Sequence, residues 1–488
     1  MIPLIYSLRK EVRFEHRGET CLAISHAPLN VIRVSTRAMR VLQLCDGQKT
    51  VEQIAGEVLP VKENEILKIC EYFNGIGFLE TIPVQNDGYF PSVTIIIPTK
   101  NRKIELIECL KSVFSQDYPK EKMEVIVVDD GSRDGTLDIT ALFSCKVFVL
   151  EENHGQSYCR NLGAQEASGE ILAFIDSDCV AEPLWLKELT SYFRWERLGA
   201  VGGLVDGYYE KFALDRYEKT FSPLQMGKYF RLAENGSSML YVPTCNLLVR
   251  RTTYLETGGV RDDMRVGEDV DLCWRIRGEG HYLLYVPSGA VKHKHRNGLA
   301  QMLKRRAEYG TSEPLLYTIH PAKRKVVRAR PLPAACFLCL CAGPLVSSGL
   351  PFLFALGCVS LDVFLKMRRL AKVGLGIGFP KVLFSTIRTY VSFLYLASFH
   401  LVRYHLLLLF AAGFLFRSVW WLCFSMLFGI SLVDYVTKKP RLCFPSFFFY
   451  YTLEHVFYQW GVFIGCLKKR TFGCYILKFT KRPPAPSS

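Results

Sequence analysis

Charge is missing from one long stretch of this 488-residue chain. Residues 331–361 contain no Asp, Glu, Lys or Arg, and further apolar runs follow them, whereas the first 320 residues have the composition of an ordinary soluble protein. Since about 20 consecutive apolar residues suffice to span a bilayer, this stretch argues against a wholly soluble chain. We expect two to four hydrophobic, membrane-associated helical segments over residues 331–475, followed by a disordered tail over residues 476–488.

Two other features are absent, and each argues against a class of protein. Residues 1–17 have only a short apolar start before acidic side chains appear, so they lack the apolar core of a secretory signal peptide. The soluble region has no basic stripe interleaved with aromatic residues, so the net charge of +15 does not indicate a nucleic-acid partner. Basic residues cluster instead beside the apolar run, at 323–330 and 366–372. Such clusters favour anionic lipid and stay on the cytoplasmic side, so we expect the protein at the cytoplasmic face of the cell membrane.

Residues 1–85 carry the pattern of short amphipathic helices separated by turns. One helix is predicted to end near Leu44, and Thr50 can cap the next. A third helix is predicted over residues 62–74, followed by a strand over residues 77–80. This pattern predicts a small helical domain with a short β-wing.

Residues 90–320 alternate β-branched runs with helical segments. The runs with the composition of buried strands are 92–98, 123–129, 145–150 and 171–175. Alternation of this kind predicts an α/β fold, an open parallel sheet covered by helices on both faces. Ligands of such sheets bind beyond the carboxyl ends of the strands, so the informative residues should follow the strands directly.

Asp176-Ser177-Asp178 follows the last of these strands and is the strongest local signal for chemistry. Residues two apart in an extended segment face the same way, so both carboxylates can point at one ligand. Mg²⁺ and Mn²⁺ take carboxylate oxygens together with substrate phosphates, and such an ion neutralises the charge on a leaving nucleotide diphosphate. We predict Asp178 and Asp176 as metal ligands and Ser177 as part of a donor site. The alternative is an acidic loop that merely ends a strand.

Other strand ends supply candidates for binding a nucleotide donor. Pro98, Thr99 and Asn101 end the first strand, and Asp130 follows the second, where a carboxylate can accept a hydrogen bond from a uracil N–H or a ribose hydroxyl. Arg160, at the start of a helix, can reach a donor phosphate or base. The alternatives are a helix cap, a turn and a surface arginine.

Gly267-Glu268-Asp269 marks a junction between a loop and a helix. An inverting sugar transfer needs one carboxylate to accept the proton of the acceptor hydroxyl, and it needs no second carboxylate for a covalent intermediate. Asp269 is the predicted base and Glu268 the competing candidate, while the alternative is a helix start enriched in acids. His293 is a candidate third metal ligand, or else part of a basic cluster near the membrane.

These motifs, in this order and spacing, resemble those of family 2 glycosyltransferases over residues 90–310. The resemblance implies a GT-A fold, a Mg²⁺ or Mn²⁺ ion, and inverting transfer from a nucleoside-diphosphate sugar. The roles that it implies are the base contact for Asp130, a donor contact for Arg160, ribose or metal for Asp176, metal for Asp178 and His293, and general base for Asp269. The Gln-x-x-Arg-Trp motif of processive polysaccharide synthases is missing, which argues against a long-polymer synthase.

The first 85 residues indicate a more specific group within this family. Val41–Gly47 and Thr50–Ala55 resemble PqqD-like domains, small winged helices that bind a peptide along a β-strand edge. A PqqD-like domain over 1–85, a transferase domain over 90–320 and a hydrophobic tail are together similar to the glycosyltransferases of the mycofactocin system. This similarity implies UDP-glucose as the donor, a peptide-derived redox cofactor as the acceptor and a β-linked product. Two alternatives stay open: a transferase acting on a lipid-linked or cell-surface polysaccharide acceptor, and a non-catalytic peptide-binding membrane scaffold.

Overall fold

The chain forms two compact units. The computed structural model describes residues 4–17, 20–26, 29–58, 60–82, 88–233, 239–296, 298–323, 326–328, 330–346, 348–476 and 478–480. The first unit comprises Met1–Leu8, Arg40–Gly75 and Leu79–Asn297, and the second comprises Arg9–Met39, Ile76–Phe78 and Gly298–Ser488. The predicted head of residues 1–85 is therefore divided between the two units.

The N-terminal region contains more strand than its sequence pattern predicted. Its elements are β1 Ile5–Leu8, β2 Val12–Arg17, β3 Thr20–His26, β4 Leu29–Val34, α1 Thr36–Leu44, β5 Asp46–Thr50, α2 Val51–Glu57, α3 Glu63–Gly75 and β6 Leu79–Ile82. The three predicted helices are present, and Thr50 caps α2 in a capping box with Gln53. In the first unit β1 lies between β5 and β6 and runs antiparallel to both. These partners are remote from β1 in sequence, so a local pattern does not reveal the pairing.

The rest of the first unit is an α/β domain. Its elements are β7 Val93–Thr99, α4 Lys103–Phe114, β8 Met123–Asp129, α5 Thr136–Thr140, β9 Lys146–Val149, α6 Gln156–Gln165, β10 Ile171–Phe174, β11 Cys179–Ala181, α7 Trp185–Thr190, β12 Leu198–Gly202, β13 Val205–Gly207, α8 Ala213–Phe221, β14 Arg231–Ala233, β15 Leu247–Arg250, α9 Arg251–Glu256, α10 Glu268–Gly278, β16 Tyr282–Tyr285 and β17 Val291–His293. The four predicted strands at the start of this domain correspond to β7, β8, β9 and β10. Every residue of β7 and β10 is buried, as their largely apolar, β-branched composition favours.

Eight of these strands form one sheet, in the order β14-β16-β12-β15-β10-β7-β8-β9. Strands β10, β7, β8 and β9 are parallel, as predicted. The expectation of a wholly parallel sheet is wrong, because β15 runs antiparallel to both of its neighbours and β14 runs antiparallel to β16. An apolar run indicates a buried strand but carries no information on the direction in which that strand meets its neighbours.

A second, three-stranded sheet positions the segment that follows β10. Its order is β11-β17-β13, with β11 antiparallel and β13 parallel to β17. The register pairs Cys179 and Gly207 with His293. The residue after Asp178 is thereby placed directly opposite His293.

The second unit contains the whole hydrophobic tail. Its elements after residue 298 are α11 Leu299–Ile319, β18 Val326–Arg328, α12 Pro331–Val346, α13 Leu350–Lys372, α14 Phe379–Ala412, α15 Arg417–Lys438, α16 Phe444–Lys469 and β19 Lys478–Thr480. Helices α13, α14 and α15 are long and apolar enough to cross a membrane, within the expected two to four segments. Strand β19 lies inside the segment predicted to be disordered, and the residues beyond Thr480 lie outside those described.

Strands β2, β3 and β4 form an antiparallel sheet in this second unit. Leu22 and Ile24 of β3 pack with Leu375, which follows α13, and Val31, Leu370 and Ile377 surround them. Burial of these apolar side chains explains why residues 9–39 belong with the tail.

Candidate active site

The carboxyl ends of β7, β8 and β10 lie side by side in the large sheet and open onto one cavity of about 190 Å³. The residues that line it are Pro98, Thr99, Lys100, Arg102, Asp130, Gln156, Cys159, Asp176, Ser177 and Asp178. Six of the predicted site residues, from three strand ends, therefore share one cavity: Pro98, Thr99, Asp130, Asp176, Ser177 and Asp178. This is the edge of a parallel sheet segment at which ligands are expected.

Asp178 and His293 are adjacent in space although they are far apart in sequence. The Oδ1 atom of Asp178 lies 3.6 Å from the Nε2 atom of His293, and both side chains are partly exposed. The other ring nitrogen of His293, Nδ1, lies 3.1 Å from Nδ1 of His295, so one of these rings donates a hydrogen bond to the other. His293 is thus held from one side while its Nε2 atom faces the carboxylate.

The pair formed by Asp178 and His293 fits a divalent cation. A separation of 3.6 Å suits two ligands of one ion, since bonds from Mg²⁺ to its ligands measure about 2.0–2.1 Å. The thiol of Cys179 lies in the same group of possible ligands. Burial raises the pKa of Cys179 well above its ordinary value, so the thiol stays protonated and is a poor ligand for a hard cation.

Asp176 is held differently from Asp178. Its Oδ1 atom accepts a hydrogen bond of 2.6 Å from Nη2 of Arg160, and Nη1 of the same guanidinium donates one of 3.1 Å to Glu268 Oε1. Arg160 is 1% exposed, and the two carboxylates raise its pKa despite its burial. The guanidinium predicted to contact the donor therefore ties the loop after β10 to the start of α10.

Glu268 and Asp269 have different surroundings at the start of α10. Glu268 is buried and accepts hydrogen bonds from Arg160 and from Gln156 Nε2, the latter at 2.8 Å. Asp269 is only half-buried, and its Oδ1 atom accepts a hydrogen bond of 2.8 Å from the backbone N–H of Val270. Loss of hydration and the negative charge of Glu268 raise the pKa of Asp269 to about 7. Of the two candidates, Asp269 has the surroundings of a proton acceptor at neutral pH.

Of the predicted donor-site residues, Asp130 and Asn101 bind backbone N–H groups of neighbouring loops, whereas Thr99 has a hydroxyl without a partner in the described part of the chain. Asp130 accepts hydrogen bonds from the backbone N–H groups of His154 and Gly155, at 2.7 and 3.1 Å. Asn101 has a left-handed backbone (φ 49°), and its Oδ1 atom accepts a hydrogen bond of 2.8 Å from the N–H of Arg133. The buried hydroxyl of Thr99 has no hydrogen-bond partner among the described residues, so a ligand in the cavity can provide one.

Four residues that line this cavity were not among the predicted site residues: Lys100, Arg102, Gln156 and Cys159. Gln156 lies one helical turn before Arg160 on α6 and binds the same Glu268 oxygen. Its spacing of four residues from Arg160 places both side chains on one face of the helix, and this spacing could have identified Gln156 from the sequence. Arg102 lies with its Nη2 atom 3.4 Å from Asp178 Oδ2. No sequence pattern distinguished Arg102 from a surface arginine.

Comparison with known proteins agrees with this geometry. The model of the family "Glycosyl transferase family 2" matches residues 94–256. Glycosyltransferase AglE of Haloferax volcanii is 33% identical over 230 residues, which cover 46% of this chain and 73% of AglE. The chain belongs to glycosyl transferase family 2. The α/β domain of the first unit is therefore a glycosyltransferase domain, and its mixed sheet with flanking helices is a GT-A-like α/β fold.

Two further similarities accompany the family assignment. The pre-mycofactocin glycosyltransferase of Mycobacterium tuberculosis (strain ATCC 25618 / H37Rv) is 28% identical over 330 residues, or 66% of this chain. The match spans 65% of that relative, just under two thirds of its length. Among solved structures, one that is similar is the mannosyltransferase PcManGT from Pyrobaculum calidifontis in complex with GDP-Man and Mn²⁺. The match covers 63% of this chain and 86% of the PcManGT chain, with a TM-score of 0.37 and 20% identity.

Proposed function

We propose that this glycosyltransferase moves a sugar from a nucleoside-diphosphate donor to an acceptor hydroxyl with inversion at the anomeric carbon. The observation that supports the proposal is that two carboxylates, on different elements, have surroundings suited to two different roles. Asp178 faces His293 at 3.6 Å as a cation site, while Asp269, with a pKa of about 7, belongs to a different element, the start of α10. One carboxylate at the cation and one separate proton acceptor are what inverting transfer requires.

The donor occupies the cavity at the ends of β7, β8 and β10. Asp130 presents its carboxylate to the base or ribose, and the unpartnered Thr99 hydroxyl supplies a further polar contact. Asp176 and Ser177 complete the donor side of the cavity, with Asp176 held by Arg160. Asp178 and His293 would hold a Mg²⁺ or Mn²⁺ ion, which would supply positive charge to neutralise the departing nucleotide diphosphate.

Asp269 removes the proton from the acceptor hydroxyl as its oxygen attacks the anomeric carbon. Glu268 orients this part of the site through Gln156 and Arg160 and, by its charge, keeps the proton affinity of Asp269 high. Arg160 also joins Glu268 to Asp176, so the acceptor side and the donor side are held in one arrangement.

The acceptor that we propose is a peptide-derived redox cofactor, with UDP-glucose as the donor and a β-linked product. Support comes from the relative named as a pre-mycofactocin glycosyltransferase, at 28% identity. The outer strand β2 adds to this support, since β3 is its only sheet neighbour among the described residues. Its other edge has the backbone groups with which an extended peptide can pair.

A donor screen tests both the general proposal, inverting transfer from a nucleoside-diphosphate sugar, and the specific one, transfer of glucose to a peptide-derived acceptor. The full chain, purified in detergent, is incubated with UDP- and GDP-sugars, and release of the nucleotide diphosphate is measured with a peptide-derived or a lipid-linked acceptor. We expect release from UDP-glucose that rises with the peptide-derived acceptor, and a β anomeric signal in the NMR spectrum of the product. Transfer to a lipid-linked acceptor alone would favour the second candidate, for which the three long apolar helices are the supporting observation. Absence of transfer with every donor would favour the remaining alternative, a non-catalytic peptide-binding membrane scaffold.

A further inference from the structure

Arg102 presents positive charge to the cavity at the ends of β7, β8 and β10. Its Nη2 atom lies 3.4 Å from Oδ2 of Asp178, and its Nη1 atom lies 3.5 Å from Oε1 of Glu105 on α4. The side chain is 34% exposed, and among the described residues that line the cavity Arg102 is the only arginine. A ligand of this cavity therefore meets its guanidinium.

Backbone hydrogen bonds fix the start of this side chain against the loop that follows β8. The N–H group of Arg102 donates a hydrogen bond of 3.1 Å to the hydroxyl of Thr136. The N–H group of Asn101 donates one of 2.8 Å to the hydroxyl of Ser132. Both groups precede the first turn of α4, where the helix offers no carbonyl partner, so the loop supplies the acceptors. The place of Arg102 beside the cavity is thus determined by the fold.

The two oxygens of Asp178 have different neighbours. Oδ1 lies 3.6 Å from Nε2 of His293, whereas Oδ2 lies 3.4 Å from Nη2 of Arg102. A divalent cation held by Oδ1 and His293 would therefore share one carboxylate with the guanidinium. Because two positive charges on the same carboxylate repel each other, pairing with Arg102 opposes the binding of a cation to Asp178.

A diphosphate group offers both of these positive groups a further anion. Its oxygens accept paired hydrogen bonds from a guanidinium, and they also coordinate a divalent cation. Arg160, the other guanidinium of this region, is 1% exposed and already donates to Asp176 and Glu268, at 2.6 and 3.1 Å. Arg102 is therefore the arginine in position to bind a diphosphate in the cavity.

We propose that Arg102 couples the binding of the divalent cation to the binding of the donor. Its guanidinium competes with the cation for Asp178, and it exchanges that carboxylate for the diphosphate of the donor. Arg102 thereby favours a nucleoside diphosphate over a monophosphate, and it disfavours a cation bound without a nucleotide. The inference rests on the proposed function, a nucleoside-diphosphate donor with a cation at Asp178 and His293.

Equilibrium binding to the full chain in detergent tests this coupling. The affinity for Mn²⁺ is measured by electron paramagnetic resonance, first alone and then with saturating UDP or GDP. The ratio of the two affinities is the coupling factor, and by thermodynamic linkage Mn²⁺ raises the affinity for the nucleotide by the same factor. In the native chain we expect a nucleoside diphosphate to raise the affinity for Mn²⁺.

Arg102→Met should change the two affinities in opposite directions. Mn²⁺ alone should bind about two- to fivefold more tightly, since a partly exposed ion pair opposes it by no more than that. The nucleoside diphosphate with Mn²⁺ should bind about 10- to 100-fold more weakly, because charge-assisted hydrogen bonds to the phosphates are lost. The preference for UDP over UMP, or for GDP over GMP, should largely disappear. The thermal unfolding midpoint should stay close to that of the native chain.

Lys100→Met is the matched control, since it removes one positive charge from the same cavity. Among the described residues the ion-pair partners of Asp178 are Arg102 and His293, so Lys100→Met should leave the affinity for Mn²⁺ alone close to the native value. An equal rise in both variants would show a general effect of charge and overturn the pairing. Arg102→Gln repeats the measurement with a second uncharged side chain.

Two results would separate the failure of this inference from the failure of the proposed function. If the native chain binds Mn²⁺ and a nucleoside diphosphate together, and Arg102→Met and Arg102→Gln do so with native affinities, the role of Arg102 is wrong while the donor and the cation site stand. If the native chain shows no Mn²⁺-dependent binding of UDP or of GDP, the proposed function is wrong, and the inference is overturned with it.

Discussion

Replacing Asp269 by Asn tests the assignment of the general base most directly. The substitution keeps the size of the side chain and most of its hydrogen bonding, but the amide cannot accept the proton of the acceptor hydroxyl. General-base assistance typically contributes about 10²–10⁴-fold, so kcat should fall by about that factor. Donor affinity should stay nearly unchanged, because the residues that line the donor cavity belong to elements other than α10, which carries Asp269. Turnover is measured as nucleotide diphosphate release, and donor affinity by titration calorimetry.

The raised pKa of Asp269 adds a pH dependence to this prediction. With a pKa of about 7, roughly half of the enzyme carries the Asp269 carboxylate at pH 7 and about a tenth at pH 6. Since only the ionised form can accept a proton, kcat/KM should fall about fivefold between pH 7 and pH 6. An ordinary aspartate with a pKa near 3.9 would give almost no change over this range.

Glu268→Gln is the matched variant. Removing the negative charge of Glu268 removes one cause of the raised pKa, so the acid limb of the pH profile should move to lower pH while turnover is retained at pH 8. An active Asp269→Asn beside an inactive Glu268→Gln would refute the assignment of the base. An unshifted acid limb in Glu268→Gln would refute the electrostatic argument. A product with the same anomeric configuration as the donor would contradict inversion.

Three further substitutions and the removal of metal ions probe other features of the molecule. Asp178→Ala should abolish Mn²⁺ binding measured by electron paramagnetic resonance and make turnover undetectable, whereas Asp117→Ala, at an exposed ion pair with Lys187, should leave both unchanged. EDTA should inactivate the native enzyme, and EDTA-insensitive turnover would contradict a metal requirement. Arg160→Met should destabilise the fold by about 3–5 kcal/mol, because two carboxylates lose a buried partner, and a lowered thermal unfolding midpoint would report this loss. Gly461→Ala should weaken the packing of α16 on α11, since its Cβ atom meets a backbone carbonyl, and faster proteolysis of the tail would reveal it.

Local patterns in the sequence were sufficient for the elements that depend on nearby residues. The apolar runs of β7, β8 and β10 and the cap at Thr50 all act over a few residues, so composition and spacing reveal them. The same holds for the acidic residues that follow the strands, because parallel strands bring their carboxyl ends to one edge. The GT-A-like domain and the cluster Asp130, Asp176 and Asp178 were predictable for that reason.

Contacts between remote segments were decided only by the tertiary structure. The antiparallel direction of β15, the pairing of β18 with β19 and the contact of Leu22 with Leu375 join residues that no local pattern relates. The burial of Arg160 between Asp176 and Glu268 is of the same kind, since a sequence does not show which carboxylates enclose a guanidinium. The sequence by itself determined which residues carry charge and which segments are apolar. The tertiary structure determined which of those charges meet: it places Glu268 against Arg160 and Gln156 and raises the pKa of Asp269 through lost hydration and the neighbouring charge of Glu268, because both effects depend on contacts across the fold.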